Sequence, residues 1–127
     1  GALVGSALSI KPILGLRDGH IVPLARVRTS SRAIARLEDL AFEAASALPR
    51  SAVGVDLAVH HLDSPERAER LAERLRARLG GDDVGVRVGG LGAVVGAHVG
   101  PGTLAVAVVP PWSSRLTNES SAVCNTQ

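Results

Sequence analysis

The stretch from Pro65 to Leu79, PERAERLAERLRARL, limits what this chain can fold into more than any other. Ala68, Leu71, Ala72, Leu75 and Leu79 recur at steps of three and four, so all five fall on one stripe of an α-helix and charged side chains fill the rest of its surface. A helix of this kind is stable only when the stripe lies on an apolar surface. Asp63-Ser64-Pro65-Glu66 reads as its start, with a capping acceptor, an early proline and an acid in the first turn, and Gly80-Gly81-Asp82-Asp83 reads as its stop. Glu66 and Arg70 stand four apart and are expected to pair on the solvated face.

The surface the helix needs is supplied by extended apolar runs on either side of it. Ile10 to Leu16 and Ile21 to Arg28 flank Arg17-Asp18-Gly19-His20, whose Asp-Gly pair predicts a β-hairpin. Pro12 and Pro23 cannot donate to a ladder, so each belongs at an edge or a bulge. Thr29-Ser30-Ser31 is N-cap chemistry for a second helix with Ile34, Leu37, Ala41, Ala44 and Leu48 inward and Arg36, Glu38, Asp39 and Glu43 off that stripe. Ser51 to Leu62, Val84 to Val88 and Thr103 to Pro110 read as further strands. The order β, β, α, β, α, β, glycine segment, β predicts an α/β (α+β) domain over residues 1–110, a mixed sheet with two amphipathic helices on one face and the other face free to meet something else. Gly1 to Ser9 resembles the last turns of a helix, as if the chain were a piece of something longer. Residues 111–127 turn polar and lose periodicity, and are expected to be a disordered tail or one foreign to the domain.

Composition excludes several functions. Aromatic residues make up 2% of the chain, with Phe42 and Trp112 the only ones, so no platform for stacking bases can be assembled. The formal charge is +2, and the arginines alternate with acids rather than forming one basic block, which argues against nucleic acid as partner. Cys124 stands alone, which rules out an internal disulfide or a thiolate metal site and fits the cytoplasm. No apolar run reaches the length of a membrane span.

The candidate chemistry gathers in GGLGAVVGAHVGPG, Gly89 to Gly102, which holds six glycines. No Gly-Lys-Ser/Thr follows, and the spacing is not that of a dinucleotide fingerprint, so this is no phosphate loop of either kind. It reads as a short glycine-rich helix or as an irregular loop. His98 sits within it with little side chain around it, either as a structural imidazole or as a ligand-binding one. His60 and His61 should point to opposite faces of a strand, and without acids or cysteines at ligand spacing no metal site is expected. Lys11 is the single lysine among fourteen basic residues, set inside an apolar run, either snorkelling from an edge or kept for its compact ammonium. Arg26 and Arg28 share one face of the hairpin as a solvated rim or an anion clamp. Ser30, Ser51 and Ser64 are explained as caps and turns, and no carboxylate pair lies in an apolar setting, so no catalytic residue is assigned and a self-contained enzyme is not expected.

Three stretches in this order, LSIKPILGLRDGHIVPLARVRT, the helix-strand-helix middle and GLGAVVGAHVGPGTLAVAVV, together resemble the C-terminal half of the DegV family of bacterial fatty-acid-binding proteins. The resemblance implies a two-domain protein that holds a long-chain fatty acid between its domains, with no other cofactor, and presents the carboxylate to the catalytic subunit of a fatty acid kinase. His98 matches the motif histidine beside the carboxylate, and hydroxyl ligands from the N-terminal domain would precede Gly1. Arg26, Arg28 and Lys11 lie in the motif region where a carboxylate or a transferred phosphate would be neutralised. Glycine N–H groups, at Gly96 and Gly100, would add donors, and Leu8, Ile10, Val94 and Val95 would wall the acyl chain. Burying about fourteen methylenes at ~0.8 kcal/mol each gives an upper bound of ~11 kcal/mol, most of which an unpartnered buried carboxylate would cancel. An uncovered interface would also favour self-association. The competing expectation is a structural or regulatory domain whose bare sheet face mediates dimerisation or docking.

Overall fold

A computed structural model of the chain describes residues 10–48, 54–109 and 120–125. Strand β1 (Lys11–Arg17) and strand β2 (His20–Val27) form the hairpin, and helix α1 (Ser30–Ala47) follows. Strand β3 (Val55–His61), helix α2 (Pro65–Leu79) and strand β4 (Val84–Gly90) make a β-α-β unit in which β3 and β4 are parallel. Helix α3 (Ala93–Val99) leads into strand β5 (Thr103–Val109), and strand β6 (Ser120–Asn125) completes one six-stranded sheet in the order β2-β1-β6-β5-β3-β4. All other neighbours are antiparallel, so the sheet is mixed as expected.

The hairpin closes where the Asp-Gly pair stands. Arg17 pairs with His20, and the two residues between them, Asp18 and Gly19, both have positive φ, +51° and +77°, the backbone of a two-residue turn that matches strand twist. Pro23 lies on the edge strand β2 beside a register shift at Ile13/Leu14, and Pro12 lies outside the stretch of β1 that pairs with β6. Both prolines thus occupy positions where no ladder donor is needed.

Helices α1 and α2 cover one sheet face. Ala68, Leu71, Ala72, Leu75 and Leu79 are the buried residues of α2, the stripe its spacing predicts. In α1 the buried line is Ala33, Leu37, Ala41 and Ala45, one step round from the expected stripe, with Ile34, Ala44 and Leu48 half-buried at its border. Alanines let the helix backbone come close to the sheet, so the large side chains of the pattern end at the flank. Ile13, Leu57, Val59, Leu104 and Val106 meet both helices from below, each at most 1% exposed. On the outer surface Arg74 Nε donates to Glu38 at 2.6 Å, and Arg78 donates to Glu38 and Asp39 at 3.1 and 2.9 Å, its guanidinium 4.3 Å from the Phe42 ring centre. The bonds to Asp39 and then Glu38 raise the pKa of Arg78 above its ordinary value.

Three expectations change. Ser64 is the N-cap of α2 but its side chain makes no capping bond; its N–H instead donates to His61 Nδ1 at 3.3 Å. Glu66 and Arg70 do not pair, because the α2 arginines nearer α1 find carboxylates across the helix interface. Residues 120–125, placed outside the fold on composition, form a strand between β1 and β5, since those two strands leave ladder groups that only another extended segment can satisfy. The remainder of that tail, and the start of the strand predicted from Ser51, lie outside the described residues.

Candidate functional site

The strand register brings the candidate residues to one edge of the sheet. Ile13 of β1 and Leu104 of β5 both lie opposite Cys124 of β6, so β1 and β5 run in the same direction two strands apart, roughly 10 Å. Lys11 is therefore level with Gly102. Lys11 pairs with Val27, and Pro12 with Arg26, so Arg26 and Arg28 lie at the same end of the hairpin. His61 pairs with Leu104, which puts the end of β3 there too. The edge is thus made of the first residues of β1 and β5 and the last residues of β2, β3 and β4, with α3 beside it.

Helix α3 resolves the glycine segment in favour of a short helix. At seven residues it is too short to persist alone, so its surroundings must hold it. Gly92 caps it in extended backbone; Gly100 ends it at φ +78°, and Gly102 follows at +84°, a region that glycine enters without the steric cost other residues carry. Gly100 N–H donates to Gly96 C=O at 3.1 Å, and Gly102 N–H to Leu62 C=O at 2.8 Å. Thr103, fully buried, places its hydroxyl 2.9 Å from Val99 C=O and 2.8 Å from Gly100 C=O, tying the helix end to β5. Gly96 is the buried residue of α3; a Cβ there would stand 3.2 Å from Leu62 Cδ1, so its bare backbone serves packing against Leu62.

The rest of α3 faces outward. Val94 is 77% and Val95 48% exposed, and Ile10 at the start of β1 is 53% exposed, an apolar border along the same edge. His98 lies in the last turn, exposed, with no hydrogen bond or ion pair among the described residues. Arg26 and Arg28 are exposed as well, and Lys11 is half-buried with a polar partner. The edge therefore combines an imidazole, three cationic side chains and exposed valines, groups suited to an amphiphile with an anionic head. Leu8, the remaining wall residue, lies outside the described residues. The histidine pair splits between faces as alternation requires. His61 accepts from Ser64 N–H, whereas His60, paired with Ala105 on the opposite face, has a buried Nδ1 with no partner among the described residues. Among the described residues no three metal-ligating side chains cluster.

Sequence reasoning missed Thr103, which holds α3 in place; its position directly after Gly-Pro-Gly was the available signal. It also read Glu66 and Arg70 as a plain solvated face, because only the packing of α2 beside α1 makes Arg67, Arg70 and Arg74 the wall of a cleft.

Comparison with known proteins bears on the family and the fold. A family model described as "Uncharacterised protein, DegV family" matches residues 1–111. A DegV domain-containing protein of Streptomyces coelicolor is 53% identical over 107 residues, 84% of this chain and 36% of the relative. The crystal structure of DegV, a fatty acid binding protein from Bacillus subtilis, superposes with a TM-score of 0.60 at 30% identity, covering 98% of this chain and 36% of that one. A fatty acid binding DegV family protein from Streptococcus agalactiae gives 0.62 at 25% identity, covering 99% and 37%. The chain thus spans about a third of the length of these relatives. A match over nearly all of the β1-to-β5 fold, carrying the hairpin and the glycine segment at its two ends, places this chain in the DegV family.

Proposed function

We propose that this chain is the C-terminal lipid-binding part of a fatty-acid-binding protein, and that its sheet edge holds the carboxylate end of a long-chain fatty acid at the interface with an N-terminal domain. The observation that carries the reading is His98: a polar side chain without a partner among the described residues, on the same short helix as exposed Val94 and Val95, which leads into the sheet edge where Lys11 and the hairpin arginines lie. A carboxylate moved out of water needs donors, and the imidazole, a guanidinium from Arg26 or Arg28 and the Lys11 ammonium are of the right kind, whereas Gly96 and Gly100, expected to add theirs, spend their N–H groups on Gly92 and Gly96 C=O within α3. Leu8, Ile10, Val94 and Val95 would line the first methylenes. The bound lipid is then presented to the catalytic subunit of a fatty acid kinase in the cytoplasm, which supplies the nucleotide chemistry, while this chain carries and orients. The exposed apolar border supports closure by a second domain or by another copy. Fatty acid binding by the relatives from B. subtilis and S. agalactiae supports the choice of ligand.

Titrating the chain with a long-chain fatty acid below its micelle concentration, followed by amide NMR, tests the reading. Saturable shifts are expected at residues 93–103 and 26–28. Shifts that never saturate, or that fall on the outer faces of α1 and α2, would contradict it.

A further inference from the structure

The outer side of α2 carries Arg67, Arg70 and Arg74 at i, i+3 and i+7, one flank of a helix. Together with Ser30, Ser31 and Ile34 at the start of α1 they line a cleft of about 280 Å³. A second cleft of about 290 Å³ shares Arg67 and Arg70 with the first and reaches Pro101 and Gly102, but Asp63 and Glu66 also line it. The first cleft has three guanidinium groups and two hydroxyls in its lining and no carboxylate.

Arg67 and Arg74 have partners, and Arg70 is the member of the row that has none among the described residues. Arg74 Nε is bonded to Glu38, which also takes Arg78. Arg70 makes no hydrogen bond or ion pair with any described residue, although Glu66 stands one turn away. Arg70, flanked on its own helix by Glu66 and Glu73 without bonding to either, keeps its guanidinium donors for an anion in the cleft. Guanidinium forks and serine hydroxyls are matched to the tetrahedral oxygens of a phosphate group, and the dipole of the 18-residue α1 adds positive potential at Ser30 and Ser31. The cleft has the volume of about nine waters at ~30 Å³ each, room for more than one tetrahedral group.

We propose that this cleft is a binding site for a phosphate-bearing small molecule, with Arg70 as its chief guanidinium and Arg67, Arg74 and Ser31 around it. The lining of this cleft shares no residue with the groups assigned to the carboxylate, and its test uses no fatty acid, so the two readings fail independently.

Titration with inorganic pyrophosphate at constant ionic strength, followed by amide and arginine Nε–H NMR, tests it. The expected result is saturable shifts confined to residues 30–34 and 67–74, with affinity falling at least tenfold in Arg70→Gln, less in Arg70→Lys, and unchanged in His98→Ala. Arg70 is exposed, so both variants should unfold at the wild-type midpoint, which the same samples report. Weaker, still saturable binding of inorganic phosphate at the same residues would assign the site to a single phosphate group, and tighter pyrophosphate binding to a diphosphate, both within the proposal. No saturable binding, equal affinity in Arg70→Gln, or shifts that follow ionic strength alone would overturn it. Binding of a penta-glutamate peptide without binding of pyrophosphate would also overturn it, in favour of a protein-docking surface.

Discussion

Helices α2 and α3 both carry aliphatic side chains and do opposite things with them. Over its 15 residues α2 buries five apolar side chains and turns its charges outward. α3, at seven residues, buries only a glycine and exposes Val94 and Val95. The first is held by the core; the second is held by glycine turns, by Thr103 and by the Leu62 contacts, and its own side chains contribute almost nothing to the fold. Apolar groups left out of the core of so small a domain are available for something else, and the proposed lipid-binding role of α3 draws on them.

The sharpest way to break this contrast is to truncate equivalent side chains in the two helices. Leu71→Ala removes a fully buried side chain and should cost about 2–5 kcal/mol in urea unfolding, whereas Val94→Ala should stay within about 0.5 kcal/mol. If the two losses were similar, α3 would belong to the core and the reading of its surface would fall. Thr103→Val keeps the shape and deletes the hydroxyl that ties Val99 and Gly100 to β5; a loss of about 1–3 kcal/mol is expected, with faster amide exchange across residues 93–100 than across α2. Uniform acceleration in both helices would show that Thr103 supports the whole domain rather than α3. Glu38→Gln weakens the bridges to Arg74 and Arg78, and should lower the urea midpoint less than Thr103→Val does, by an amount that shrinks in high salt.

The same contrast explains what could be read in advance. The α2 stripe was legible to the residue because burial there follows helical period alone, and the Asp18-Gly19 turn because its backbone demands those residues. The α1 stripe came out one step away, since alanine and leucine signal burial about equally while only the sheet decides which line touches it. For α3 there was no period to read: its apolar residues are exposed and its glycines answer to Leu62 and to turn geometry, which are tertiary facts. Strand β6 was hidden for the same reason, because Ser120 to Asn125 carries no strand-like alternation and gains its place from the ladders of β1 and β5. His98 was singled out by its surroundings in sequence, but that the segment after it, at Gly102, comes level with Lys11 depends on register across three strands.

The smallest structural change carries the largest functional one. His98 is exposed and unbonded among the described residues, so His98→Ala should leave the unfolding midpoint within about 0.5 kcal/mol of wild type. Native mass spectrometry of the two proteins, purified side by side, with a denatured lipid extract of each, tests the central claim most directly. The account predicts a retained mass of a long-chain fatty acid on the wild type and its loss from His98→Ala; an equal retained mass on both proteins would contradict it.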